Sequence, residues 1–210
     1  MPVAGWIVAG MVTATVMLHF SNGLLVSVAG SIAREASRYA WHWYLCALVV
    51  GGITAWRCSV TDDAAMCVML LTVASLLVVQ APLDARTRRL SRPVTYAAIA
   101  GTSTTTIASH AIHRDIADSV MVLSATMLVT TGFWVLHRSS PKSLGFGDVL
   151  LVVPLSLANA SVSLFAVGVW QFVAATTGAV HALVIRHRRS TIPFGPHLIG
   201  AAWLVVVGSV

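Results

Sequence analysis

Apolar runs of about 16 to 25 residues follow one another along the chain, separated by short polar clusters. A hydrocarbon layer about 30 Å thick takes about 20 helical residues, so each run is long enough, or nearly so, to cross it. Eight spans are predicted. The first covers residues 3–18, with residues 24–32 as its extension beyond Ser21-Asn22-Gly23, and runs on without the basic start of a cleaved leader. Arg34, Glu35 and Arg38 form a polar junction, and the second span, residues 41–56, carries Trp41, Trp43 and Tyr44 at one end and Trp56 at the other. Aromatic side chains at both ends suit the two membrane–water interfaces. The third span, residues 64–83, ends at Pro82 and Asp84, and the basic segment 86–92 leads to Pro93 at the start of the fourth, residues 94–111. That span has a polar middle, residues 102–106, whose hydroxyls suit an inward face between helices. Residues 119–136 make the fifth span. The sixth opens at Gly147-Asp148, runs to residue 158 and contains Pro154, a point of bending. Asn159-Ala160-Ser161 reads as a tight turn into the seventh, residues 162–185, and residues 196–210 form the eighth.

The pattern implies an all-α polytopic membrane protein, a bundle of about eight transmembrane helices forming a single domain over residues 1–210. Charged residues make up 10% of the chain, against about a quarter in a soluble domain. The net charge of +6 is spread over short loops without an aromatic-studded basic face, which argues against nucleic acid as a partner. Alternating the loops puts eleven of the 13 Lys and Arg residues on one side and leaves only Arg57 and Arg114 on the other. The positive-inside rule makes the first side cytosolic, with both termini outside. Asp62, Asp63, Asp115 and Asp118 then lie outside, whereas Asp84 and Asp148 both emerge at the cytosolic face.

A carboxylate at the end of a membrane helix is costly, at least about 2.5–3.5 kcal/mol if it enters the hydrocarbon. Two of them at one depth can share a proton: the ionised member activates a water while the protonated member polarises a scissile carbonyl. Peptide hydrolysis by this route requires no metal and no nucleophilic side chain. Gly145 and Gly147, flanking the second acid, allow a sharp turn and a close approach by an extended peptide. Pro82 removes a helix hydrogen bond near Asp84 and loosens that helix end. Each acid also has a plainer reading. Asp148 suits a helix N-cap, and Asp84 suits a juxtamembrane acid balancing Arg86 or Arg88.

Three segments together, Leu83-Asp84-Ala85-Arg86-Thr87-Arg88-Arg89-Leu90, Gly145-Phe146-Gly147-Asp148-Val149 and Ile192-Pro193-Phe194-Gly195-Pro196, resemble the type IV prepilin peptidase family. Its members are membrane aspartyl proteases of the G-x-G-D type, akin in mechanism to preflagellin peptidases and presenilin. The resemblance is strongest over residues 64–210. It implies that Asp84 and Asp148 are the catalytic pair and that a prepilin-like leader is cut at the cytosolic face of the bacterial inner membrane. It also implies that Phe194, Gly195 and Pro196, with Gly145, Phe146 and Gly147, border the substrate groove. The plainer reading of Pro196 is the first turn of the last helix. Ser91 and Arg92 stand where many members have Pro-Asn, and Leu150 replaces a common lysine. The cytosolic insertion with two Cys-x-x-Cys pairs is absent, which implies the short, peptidase-only form without methyltransferase activity.

Neither the resemblance nor the residues suggest a cofactor or a metal. His110 and His113 share a helix face but lie away from the aspartates, His137, His187 and His197 suit helix ends at the interface, and the tryptophans suit interface anchors. Cys46, Cys58 and Cys67 lack a metal-ligand spacing; they read as apolar fillers, or Cys58 and Cys67 meet at one membrane face. Two other functions fit paired acids: a proton-coupled transporter or channel, which expects charges deep in mid-span, and an inactive scaffold for pilus assembly.

Overall fold

The computed structural model describes Met11 and residues 41–113, 116–140, 144–185 and 193–209. The expected first span, the Arg34/Glu35/Arg38 junction, Arg114, Asp115, Lys142, Ser143 and the loop 186–192 lie outside the described residues. Among the described residues seven helices run in order: α1 (Trp41–Val60), α2 (Ala64–Thr87), α3 (Arg92–His113), α4 (Ile116–Ser139), α5 (Phe146–Val162), α6 (Leu164–Ile185) and α7 (Gly195–Ser209). Four of them, α1, α2, α4 and α6, are long and apolar enough to cross a membrane. The chain is thus all-helical among the described residues and has the form of a helical membrane protein.

Local chemistry sets the helix ends. Asp63 caps α2, its carboxylate accepting from the Ala65 and Met66 N–H groups at 2.8 and 3.2 Å. α2 stops at Arg88, which adopts the left-handed conformation (φ 54°) and turns the chain back over the helix end. Ser163 starts α6 by accepting from the Ala166 N–H at 3.0 Å. Phe194 starts α7, its carbonyl accepting from both His197 and Leu198 N–H at 3.1 Å.

α5 and α7 form the centre. α5 is buried on all sides from Leu151 to Ala160, apart from Val153, and α7 buries Leu198, Ile199, Ala201, Ala202, Trp203 and Val206. α2 and α6 close around α7, while α3 and α4 close around α5. The outermost helix is α4, which leaves Leu123, Met127, Leu128 and Leu136 exposed, as a lipid-facing helix should. Lipid is as apolar as these side chains, so the bundle is held by close packing and by polar links between helices. Two such links come from tryptophan. Trp170 donates its indole N–H to the Leu198 carbonyl (2.9 Å) and Trp203 donates to Thr54 Oγ1 (3.0 Å).

Several sequence expectations are corrected. Trp170 and Trp203 are buried core residues, not interface anchors, because each indole N–H finds an internal acceptor. Asn159, Ala160 and Ser161 continue α5 and the turn falls at Ser163. Asn159 Nδ2 and Ser161 Oγ donate to Leu155 and Leu157 carbonyls one turn back, both at 2.8 Å, so these donors are satisfied without breaking the helix, although Asn159 Oδ1 is buried without a partner among the described residues. α2 continues past Pro82 to Thr87, so Asp84 lies inside the helix and not beyond its end. The polar middle of α3 faces inward at Thr102 and Thr106, whereas Thr104 is exposed. Cys58 and Cys67 do meet: each thiol points at the other's carbonyl oxygen, at 3.8 and 3.6 Å.

Candidate active site

The ends of α2, α4 and α6 and the beginnings of α3, α5 and α7 gather at one end of the bundle, and both motif acids lie there. Asp84, in the last turn of α2, is 6% exposed. Its Oδ2 accepts from the Gly195 N–H at 3.1 Å. The first N–H groups of a helix have no partner within it, and the N-terminus carries partial positive charge, so an anion is well placed against α7. The close fit also demands glycine. A Cβ on residue 195 would sit 2.6 Å from Asp84 Oδ2, inside any normal contact. Gly195 is therefore the group that holds the first carboxylate. The cation whose charge acts on Asp84 is Arg88, one turn further along, so the balancing role expected of a juxtamembrane acid is present as well.

Asp148 is the third residue of α5, where Gly145 is the N-cap. The N-cap reading of Asp148 is thus corrected: its Oδ2 reaches back to accept the Gly145 N–H at 3.1 Å, the reciprocal half of a capping box. Asp148 is half-buried and feels the charge of Asp84, so the two carboxyls lie within electrostatic reach of each other. Each takes one backbone N–H at a helix N-terminus, Asp148 at its own helix and Asp84 at a neighbour's.

The loops that bring them together are held by polar clips. Gln80, fully buried one turn before Asp84, donates through Nε2 to the Ser91 carbonyl (2.8 Å) and Thr95 Oγ1 (3.0 Å). Its Oε1 accepts the Ser91 N–H at 2.9 Å. The α2–α3 loop is thereby folded back, and Leu90 is laid against Gly147, where a Cβ would meet its side chain at 3.2 Å. At the other loop, His137 Nδ1–H donates to the Leu144 carbonyl (2.8 Å) and its ring lies 5.7 Å from that of Phe146. Phe146 is 47% exposed, on the rim of the site.

The Phe194-Gly195-Pro196 segment is seated by α6. Trp170, Ala174, Gly178 and His181 occupy one stripe of that helix. The Phe194 ring fills the space above Gly178, where a Cβ would meet Cε2 at 2.9 Å. His181 Nδ1 lies 2.8 Å from His197 Nε2, with ring centroids 5.0 Å apart. His197 is thus paired with His181 and stays partly exposed at the helix end. Gln80, Gly178 and His181 escaped the sequence reading, which held Leu90 only as the last residue of the first motif segment. Gln80 alone left a signal there, a lone amide in an apolar run four residues before the acid.

The remaining polar groups lie elsewhere. A cavity of about 670 Å³ between α3, α4 and α5 is lined by Ser103, Thr106, Ile107, His110, Thr126 and Met127, on the half of the bundle away from the aspartates. Asp63, Asp118 and His110 line a second one of about 340 Å³ at the far end. No family model matches the chain, and neither a curated protein nor a solved structure matches it.

Proposed function

We propose that the chain is an intramembrane aspartic endopeptidase of the G-x-G-D type that removes the leader of a prepilin-like protein at the cytosolic face of the bacterial inner membrane. One observation carries this reading. Two acids sixty-four residues apart come to one end of the bundle, within reach of each other's charge, each oriented by a helix N-terminal N–H. In this reading the two carboxyls hold one proton between them. The ionised member takes a proton from water as it attacks the scissile carbonyl, and the other donates its proton to the carbonyl oxygen. The gem-diol then collapses as a proton passes to the leaving amine. Titration belongs to the pair, so the rate falls on both sides of an optimum. Ser91, Arg92 and Leu150 depart from the family pattern and leave both acids in place.

Co-expression with a prepilin-like substrate tests the proposal. Asp84→Asn and Asp148→Asn should each abolish cleavage while leaving protein in the membrane at normal level, because either substitution removes the shared proton. Cleavage by either variant at the wild-type rate overturns the assignment.

A further inference from the structure

His181 and His197 do nothing in the chemistry above, yet they are joined across α6 and α7 two residues from the N–H that holds Asp84. We infer that this pair is a proton-sensitive strut that aims the Gly195 N–H at Asp84, and that His181 and His197 are positioning residues for the site. The inference rests on the protease reading for its effect on cleavage, but the strut itself is a property of the fold.

Three contacts fix the first turn of α7 to one stripe of α6. Trp170 holds the Leu198 carbonyl at 2.9 Å, Gly178 receives the Phe194 ring, and His181 meets His197 at 2.8 Å. The first two are packing and a permanent donor–acceptor pair, insensitive to pH. The third is conditional. At 2.8 Å one ring nitrogen must carry the proton and the other must offer its lone pair. One added proton still leaves a donor facing an acceptor. A second sets N–H against N–H between two cations, and the rings must part. His197 lies on the same helical turn as Gly195, so its displacement turns the Gly195 N–H away from Asp84 Oδ2, a contact of 3.1 Å.

Among the described residues, the charged and titratable groups at this end are Asp84, Arg88 and Arg89 at the end of α2, Arg92 at the start of α3, His137 and Arg138 at the end of α4, and Asp148 in α5. α1 reaches α7 at Thr54 and Trp203, further down the bundle. The acids are engaged with Gly195 and Gly145, and Arg88 acts on Asp84.

Amide side chains separate hydrogen bonding from titration. Asn matches the reach of the His181 Nδ1 and Gln that of the His197 Nε2, so the double variant His181→Asn/His197→Gln keeps a donor–acceptor pair that takes no proton. His181→Leu removes it. Hydrogen–deuterium exchange of the full chain in detergent, read on the peptide holding residues 193–199, should quicken in His181→Leu at about pH 8. In wild type it should quicken only on acidification below the ordinary histidine value of about 6.5. Corrected for intrinsic exchange, the amide pair should show no such rise. Cleavage should fall about tenfold in His181→Leu at about pH 8, and the wild-type acid limb should be steeper than that of the amide pair. Unchanged exchange in His181→Leu, or equal acid behaviour of wild type and the amide pair, overturns the strut. If exchange responds as expected and no variant, wild type included, cleaves a prepilin-like substrate, the strut stands and the protease reading fails.

Discussion

At the level of single residues, the most exacting position is Gly195. Any Cβ there meets the Asp84 carboxylate at 2.6 Å, and since that carboxylate is the movable end of a side chain, it is the acid that must yield. Gly195→Ala should therefore leave the fold intact and displace the acid. The expected result is a loss of about 100-fold in cleavage, with a thermal midpoint close to wild type, measured on purified protein in detergent. Gly178→Ala should act more mildly, since it pushes the Phe194 ring, which then drags residue 195 with it. The two aspartates were legible in the sequence because charge in an apolar setting is conspicuous. The partners that orient them were not. Gly195 is 111 residues from Asp84, and its contribution is a backbone N–H, which no side-chain pattern discloses.

At the level of elements, the α2–α3 connection depends on one buried amide. Gln80→Leu would strand the Ser91 N–H, whose acceptor is Gln80 Oε1, while the Ser91 carbonyl keeps the Thr95 N–H and hydroxyl at 3.1 Å; the cost is about 1–3 kcal/mol for a group left without its partner. Unfolding of the variant in bicelles should show that loss, together with faster proteolysis between Arg88 and Arg92; equal stability would mean that water replaces the amide. At the opposite end, Cys58 and Cys67 join α1 to α2 by reciprocal thiol–carbonyl contacts. Mild oxidation should link them and protect both from maleimide while Cys46 stays reactive, as peptide mass mapping would show. The long helices were readable from their apolar length, most plainly α2, α4 and α6. The end of α5 was not, because Asn159 and Ser161 bond to their own preceding turn, and such a helix is indistinguishable in sequence from a polar turn. The buried tryptophans were misplaced for a related reason: an indole suits an interface or a core equally, and only the position of an acceptor decides.

For the whole molecule, the two central helices are the short ones. Among the described residues α5 covers 17 and α7 covers 15, so at 1.5 Å per residue these stretches span about 25 and 22 Å, against roughly 30 Å of hydrocarbon. They are enclosed by longer helices, so their N-termini can stand below the membrane surface, walled by α2 and α6. Asp148 lies in the first turn of α5, and Asp84, in the last turn of α2, is bonded to the first N–H of α7. In the proposed protease such a site opens to water from one side, and the Lys and Arg bias of the sequence predicts that this side is the cytosol. Residue-by-residue labelling checks the assignment. With Cys46, Cys58 and Cys67 replaced by alanine, Arg89→Cys and Ser140→Cys place a thiol on exposed loops at the aspartate end, and Asp62→Cys places one at the far end. A membrane-impermeant maleimide added to intact spheroplasts should label only residue 62, and inverted vesicles should label residues 89 and 140. Labelling of 89 and 140 from opposite faces would separate the two acids across the bilayer and remove the basis for any shared chemistry. Labelling of both from outside would keep the pair but reverse the compartment in which the substrate is cut.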